Sequence, residues 1–206
     1  MIYFISDLHF GHKNCLSFDN RPFLTIEEQD EAIIKNWNKV VSKEDTVWIL
    51  GDFSWYSESK TLEIFNKLNG TKNLVIGNHD EKLLKKSSIK ALFQEIVPYK
   101  ELKLEEYGTV VLSHYPIPCF NKHYYGAYHL YGHVHNSYEW NMMEHIKKEM
   151  EELYTVPCNM YNVGAMMSYM NYTPQSLKNI VEKNKKYAKW LEELKTYKEA
   201  EEQGLL

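Results

Sequence analysis

Five short segments of this sequence carry side chains that could do chemistry. Each combines carboxylate, imidazole or amide groups, and each follows a short apolar run that predicts a β-strand. The ends of strands are where sites gather in open α/β sheets, so we expect the five segments to converge on one crevice. The segments are Asp7-Leu8-His9, Gly51-Asp52, Gly77-Asn78-His79-Asp80, Ser113-His114 and Gly132-His133-Val134-His135.

The donor atoms in these segments predict a metal centre. Asp7 with His9, and His133 with His135, stand two residues apart, and side chains at that spacing on an extended chain point to the same side. A set of carboxylate, amide and imidazole donors without thiolate is typical of Mn²⁺, Fe or Zn²⁺, and sometimes of Ni²⁺ or Co²⁺. Seven protein ligands are too many for one ion with an open position, whereas two ions roughly 3.5–4 Å apart and bridged by a carboxylate account for the number. The candidate ligands are Asp7, His9, Asp52, Asn78, His114, His133 and His135.

Each segment also has an ordinary structural interpretation. Asp7 could cap a turn at a strand end, Gly51-Asp52 could be a simple turn, and His114 could be a hydrogen-bonded core histidine. The tetrapeptide Gly77-Asn78-His79-Asp80 is the most specific of the five. Because the segments occur in order, each behind its own predicted strand, a shared site explains them better than five separate coincidences.

The first half of the chain alternates predicted strands and helices. Strands are predicted at Ile2–Ser6, Thr46–Leu50 and Asn73–Ile76, and amphipathic helices at Ile26–Val41 and about Glu58–Leu68. This βαβαβ rhythm predicts an α/β protein whose first three strands are parallel.

The second half has a different pattern. A hairpin is predicted at Leu102–Glu106 and Thr109–Ser113, with further short strands at Tyr128–Gly132 and Tyr161–Val163. An inserted amphipathic helix is predicted near 139–153, either packed on the sheets or overhanging the crevice, and a long final helix near 173–202. We find no repeat or linker, so residues 1–206 are interpreted as a single domain.

The composition argues against several classes of protein, namely duplex nucleic-acid binding, secreted and membrane-spanning proteins. The chain has 206 residues, 24 Lys and Arg against 28 Asp and Glu, and a net charge of −4, which argues against wholesale duplex nucleic-acid binding. Its amino terminus predicts a strand instead of a signal peptide, and no apolar run is long enough for a membrane span. The odd cysteine count favours a reduced compartment. A cytoplasmic location without membrane association is the expectation.

The ordered set of segments from Asp7 to His135 resembles the calcineurin-like metallophosphoesterase superfamily. The resemblance spans about two-thirds of the chain and implies a four-layer αββα sandwich with a dimetal site at the carboxyl ends of the strands. It implies that one ion is held by Asp7, His9, Asp52 and His135, and that Asp52 bridges to a second ion completed by Asn78, His114 and His133. His79 would be the non-ligand histidine that faces the leaving group.

The resemblance implies hydrolysis of a phosphomonoester or phosphodiester by a metal-bridging hydroxide, with His79 protonating or stabilising the departing alkoxide. Asp80 would orient His79 or keep it charged, and it could equally be the N-cap of a helix that begins near Glu81.

Three further residues have open roles at this stage. His12 would contact substrate phosphate or support a ligand, or lie on the surface as an ordinary histidine. Arg21 would clamp a phosphate, or pair with an acidic neighbour. Trp55 stands where the superfamily's commoner pattern has an acidic or polar residue, and it would stack on a base or sugar or, the favoured interpretation, belong to the core.

Competing functions follow from the same residues. The first alternative is a catalytically silent metal-bound scaffold for protein–protein interaction, which tends to lose ligands that are intact here. The second is a nuclease, which would need a basic track beside the crevice. The favoured partner is a small, possibly nucleotide-like phosphate ester, with nucleic acid disfavoured and the oligomeric state open, and the favoured ion is Mn²⁺.

Overall fold

The computed structural model describes the backbone of residues 1–202 and the side chains of residues 1–191. Within them the chain forms two four-stranded sheets and seven α-helices. These make the predicted four-layer αββα sandwich, with the apolar strand residues buried between the layers. The strands are β1 (Ile2–Ile5), β2 (Thr46–Ile49), β3 (Thr71–Val75), β4 (Ile96–Val97), β5 (Tyr99–Leu104), β6 (Gly108–Ser113), β7 (Tyr128–Tyr131) and β8 (Asn159–Asn162). The α-helices are α1 (Cys15–Phe18), α2 (Ile26–Val40), α3 (Glu58–Lys67), α4 (Glu81–Leu84), α5 (Ser87–Lys90), α6 (Tyr138–Tyr154) and α7 (Leu177–Glu202).

The first sheet has the order β1-β2-β3-β4, with every neighbouring pair parallel. This confirms the parallel pairing expected from the βαβαβ rhythm. Helix α2 begins with a capping box, because Thr25 accepts a hydrogen bond from the Glu28 N–H while the Glu28 carboxylate accepts one from the Leu24 N–H. The two-residue strand β4 is too short to give a periodic signal and was not predicted.

The second sheet has the order β5-β6-β7-β8 and contains the predicted hairpin, β5 with β6. The remaining pairs are parallel. The two sheets meet beyond their edge strands, where the Ser6 N–H donates to Val163 and the Ala165 N–H donates to the Ser6 carbonyl. This junction lies next to Asp7 and joins the loops of both sheets at one place.

The two long helices of the second half differ slightly from their predicted bounds. Helix α6 buries Trp140 and Met150, while Met142 is exposed, so it packs on the protein through one narrow face. The final helix begins at Leu177 instead of Thr173, because Gln175 forms a β-bridge with Phe4 and holds the preceding segment extended. Residues 203–206 of the predicted domain lie outside the described residues. None of the described helices is both long and apolar enough to cross a membrane.

Candidate metal centre

The predicted site residues follow the carboxyl ends of five strands, and backbone hydrogen bonds fix their loops against one another. The Asp7 N–H donates to the Gly51 carbonyl, and the His9 N–H donates to the Asp52 carbonyl. The His133 N–H donates to the Asp7 carboxylate at 3.0 Å, which ties the second sheet to the first. The structure therefore brings the seven candidate ligands together from both sheets.

One group of donors is formed by Asp7, His9 and His135. Nε2 of His135 lies 3.5 Å from Asp7 Oδ1, and Nε2 of His9 lies 3.9 Å from the same oxygen. These atoms are close enough to share one ion. Asp7 and His9 are both buried.

A second group of donors is formed by Asn78, His114 and His133. Asn78 Oδ1 lies 2.8 Å from His114 Nε2 and 3.1 Å from His133 Nδ1. His114 donates its other ring N–H to the Leu50 carbonyl, which orients Nε2 toward the site.

The Asp52 carboxylate lies between the two groups. Its Oδ2 is 3.7 Å from His9 Nε2 and its Oδ1 is 3.7 Å from His114 Nε2. One carboxylate oxygen therefore faces each group, which is the arrangement a bridging ligand needs. Asp7 also lies within reach of Asp52 and His114, so both carboxylates are shared between the groups.

Two buried polar atoms at the centre have no hydrogen-bond partner, namely Asp7 Oδ1 and His9 Nε2. An unpartnered carboxylate oxygen facing an unpartnered imidazole nitrogen is costly unless a cation lies between them. Burial raises the pKa of Asp52, and the nearby Asp7 charge raises it further. Because a divalent cation would satisfy these orphaned atoms and offset both buried carboxylates, the residues fit a metal centre.

The backbone at the site is held in a rare conformation. Five of the seven candidate ligands have φ between +48° and +68°, a region that non-glycine residues seldom adopt. Such outliers cluster at functional sites, where the surrounding structure maintains them. They are Asp7, His9, Asp52, His133 and His135.

This conformation corrects the expectation that the two-residue spacings lie on extended chain. Asp7 and His9 still converge, but His133 and His135 do not chelate together. His133 lies with the Asn78 group and His135 with the Asp7 group. Side chains two residues apart in these loops therefore need not point to the same side, as they would along an extended strand.

Two positions require glycine because atoms of a neighbouring loop lie too close to leave room for a side chain. A Cβ atom on Gly77 would lie within 3.0 Å of the Asp52 backbone, and one on Gly132 would overlap the Ser6 side chain. Both positions let loops of neighbouring strands touch, as expected for glycines beside a site.

Asp19 and Arg21 support His135 from outside the ligand set. Asp19 Oδ1 accepts a hydrogen bond from His135 Nδ1 at 2.7 Å, and Asp19 Oδ2 accepts from Arg21 Nε and Nη2 at 2.8 and 2.7 Å. Burial lowers the pKa of His135, but the hydrogen bonds to Asp19 and Asp7 outweigh it and raise that pKa to about 10. Asp19 was missed from the sequence, where its only signal was its position two residues before Arg21.

The phosphate-clamp interpretation of Arg21 is wrong. The guanidinium is fully buried and donates to Asp19, to Gln29 and to the backbone carbonyls of Asp7 and Leu8. Its donors are used inside the protein, so the alternative, a salt bridge with an acidic neighbour, describes its role.

Replacing Asp19 by Asn is expected to weaken metal binding about 10- to 100-fold, the usual effect of losing the carboxylate behind a metal-binding histidine. The neutral amide keeps the shape but no longer holds the His135 ring through a charged acceptor. Calorimetric titration of the metal-free protein with Mn²⁺ measures the change. Asp45→Asn, at the amino end of β2, is the matched control. Equal affinities of Asp19→Asn and the parent would contradict this role.

His12 and Trp55 cover His9. Nδ1 of His12 lies 2.9 Å from Nδ1 of His9, so the Nε2 atom of His9 remains directed at the carboxylates. The half-buried Trp55 indole stacks on both imidazoles, with ring centroids 4.4 Å from His9 and 4.2 Å from His12. His12 therefore supports a candidate ligand. Trp55, for which core packing was the favoured interpretation, is part of the site.

His79 is exposed and lies beside the ligand set. Its ring centroid is 4.6 Å from that of Trp55 and 6.4 Å from that of His9. Its backbone N–H donates to Asp52 Oδ1 at 3.0 Å. The imidazole is thus held next to the candidate metal ligands without being one of them.

Asp80 does not act as expected. It occupies the N-cap position of α4 but makes no side-chain cap hydrogen bond. Its carboxylate instead accepts hydrogen bonds from the N–H groups of Asp52, Phe53 and Gly77. Burial raises its pKa to about 6 despite these donors. Its carboxylate therefore fixes the backbone that carries Asp52 instead of orienting the His79 ring.

The sandwich and its buried carboxylate–imidazole set match the fold and the ligand chemistry of phosphoesterases that use two metal ions. Residues 1–156 match the family model described as calcineurin-like phosphoesterase, and the chain belongs to this family. The family uses two metal ions, and the site described above supplies candidate Asp and His ligands for them.

Several relatives resemble parts of the chain. The uncharacterized protein MJ1445 of Methanocaldococcus jannaschii is 45% identical over 82 residues, which cover 39% of this chain and 47% of that protein. The Gene 66 protein of Mycobacterium phage L5 is 33% identical over 132 residues, covering 55% of this chain and 62% of its own length. The chain thus spans less than two-thirds of either relative. The crystal structure of AQ665, a protein of unknown function from Aquifex aeolicus, superposes on this chain with a TM-score of 0.66 and 29% sequence identity. The match covers 88% of this chain and 98% of AQ665.

Proposed function

We propose that the protein is a metal-dependent phosphoesterase that hydrolyses a phosphomonoester or phosphodiester of modest size in the cytoplasm. The observation that carries this proposal is the convergence of Asp7, Asp52 and four histidines around orphaned donor atoms, with the exposed His79 beside them. The family match supports the reaction class. The three cysteines are unpaired, in keeping with a reduced compartment.

The candidate ligands would hold two divalent ions for this reaction. Asp7, His9, Asp52 and His135 would hold one divalent ion, and Asn78, His114 and His133 would complete the second site with Asp52. When bound, such ions lower the pKa of water and polarise phosphoryl oxygens. Mn²⁺ is the proposed native ion, with Fe, Zn²⁺, Ni²⁺ or Co²⁺ as alternatives.

His79 would act on the leaving group. Its ring is exposed, so it can reach a bound ester, and the hydrogen bond from its backbone N–H to Asp52 fixes its distance from the ligands. A protonated imidazole there would donate a proton to the departing alkoxide. A silent scaffold would not need this residue, which is why we prefer an enzyme.

Removal of metal is expected to abolish hydrolysis. The protein is treated with chelator, dialysed, and assayed on p-nitrophenyl phosphate and bis(p-nitrophenyl) phosphate with each of the five ions added back. We expect no turnover without metal and recovery with at least one ion, Mn²⁺ first, because the ions would lower the pKa of water and polarise the phosphoryl oxygens. Hydrolysis that persists in chelator, or that no ion supports, would contradict the proposal.

A further inference from the structure

A cavity of about 550 Å³ opens directly beside His79. This volume lies within the range typical of small-molecule sites, roughly 300–1,000 Å³. Its lining includes Asn78 and His79, the Trp55–Glu58 segment, and residues of α4 together with Lys85-Lys86. A leaving group that departs past His79 would therefore enter this cavity.

The aromatic wall of the cavity is rigid. His9 and His12 have centroids 5.2 Å apart, so both stack on the same face of Trp55, since rings on opposite faces would lie roughly 7 Å apart or more. The neighbouring Tyr56 ring packs against Gly11, where a Cβ atom would lie 2.7 Å from it. The His79 ring lies 4.6 Å from this indole, so a stacked base would contact the part of the indole that these three imidazoles leave uncovered.

The lining of the cavity also includes three lysines and two carboxylates. Lys85 lies 3.5 Å from Glu81 and Lys86 lies 3.9 Å from Glu58, so these cations are partly neutralised. Among the described residues, Lys82 is the lysine of this lining with no carboxylate within 4 Å. It stands three residues after His79 and is exposed to the cavity.

We propose that this cavity binds the leaving portion of a nucleotide diester, with its base against Trp55 and its next phosphate at Lys82. The inference rests on the proposed function and names its substrate class. An aromatic side chain and an unpaired ammonium group that line the same cavity match the two parts that a nucleotide presents, a π-face and a phosphate. Neither part is needed by a phosphomonoester with an aliphatic leaving group.

The first test compares thymidine oligonucleotides of two lengths on the metal-loaded protein. The trinucleotide TpTpT carries a phosphate beyond the leaving nucleoside, whereas the dinucleotide TpT does not. We expect the parent to prefer TpTpT in kcat/KM, and Lys82→Ala to lower kcat/KM for TpTpT about tenfold, the usual loss for a hydrogen bond to a charged group. Lys35→Ala is the matched control, because Lys35 is an exposed lysine of α2 and does not line the cavity.

The second test does not depend on catalysis. In metal-free protein, stacking of a thymine on Trp55 is expected to quench tryptophan fluorescence on addition of TpTpT, and Trp55→Phe should remove that quenching. Lys82→Ala should weaken the binding curve about tenfold and lower its dependence on salt by about one released counterion.

The outcomes separate the two proposals. If the parent hydrolyses bis(p-nitrophenyl) phosphate but Lys82→Ala and Lys35→Ala treat TpTpT alike, and no quenching is seen, the nucleotide inference is overturned and the phosphoesterase proposal stands. If TpTpT quenches Trp55 through Lys82 while no phosphoester is hydrolysed with any ion, the cavity remains a nucleotide site and the phosphoesterase proposal fails.

Discussion

Replacing His79 by alanine is expected to lower kcat about 100- to 10,000-fold for a diester with a poor leaving group, such as TpT, while metal content stays unchanged. The imidazole is exposed beside the candidate ligands and is not one of them. Its loss therefore removes the proposed proton donor to the leaving group but removes no candidate metal ligand. Alanine keeps the backbone N–H that donates to Asp52, so the local loop is preserved. Steady-state kinetics together with metal analysis of the purified variant provide the measurement.

The identity of the leaving group supplies an internal control for His79. p-Nitrophenolate departs without a proton, so the loss for bis(p-nitrophenyl) phosphate should be much smaller than for TpT if His79 acts as the acid. His145→Ala is the matched variant, because His145 is exposed on α6 and donates a ring N–H to the Asn141 carbonyl of the same helix. Equal losses for both substrates would assign His79 a role in binding instead, and full activity on TpT would remove it from the mechanism.

The convergence of the candidate ligands could be predicted because these residues follow strands with strong local signals. A buried strand such as β2 fixes where Asp52 must lie, and parallel pairing brings Asp7 beside it. Helix α2 was predicted to within one residue for the same reason, since Thr25 and Glu28 form a local cap. Strands and helix caps that are determined by residues close together in the chain can therefore be predicted from the sequence.

The supporting residues could not be predicted because they depend on contacts between distant segments. Asp19 reaches His135 across 116 residues, and Asp80 accepts N–H groups from the loop after β2. Burial decided the role of Arg21, whose sequence context suited either a phosphate clamp or a salt bridge. Core packing was favoured for Trp55 because aromatic residues after a strand end more often belong to a core than to a site.

Replacing Asp52 by asparagine is expected to reduce bound metal from two ions to one or fewer and to lower kcat about 1,000-fold or more. One carboxylate oxygen faces His9 and the other faces His114, so a neutral amide cannot serve both groups with negative charge. Asparagine tolerates the φ of 56° at this position, and its carbonyl oxygen can still accept the His79 N–H. Metal analysis and calorimetric titration give the stoichiometry, and hydrolysis of bis(p-nitrophenyl) phosphate gives the rate.

The stability of the metal-free protein distinguishes loss of the bridge from loss of the fold. Asp52 lies buried beside the Asp7 charge, and both its burial and that charge raise its pKa, so the ionised carboxylate destabilises the folded protein when no cation is bound. The Asp52→Asn variant should therefore unfold in chelator at the same urea concentration as the parent or at a higher one. In saturating Mn²⁺ the order should reverse, because the parent gains more binding free energy from the ions than the variant. Two bound ions in the variant, or stabilisation by Mn²⁺ equal to that of the parent, would show that Asp52 does not join the two groups of ligands.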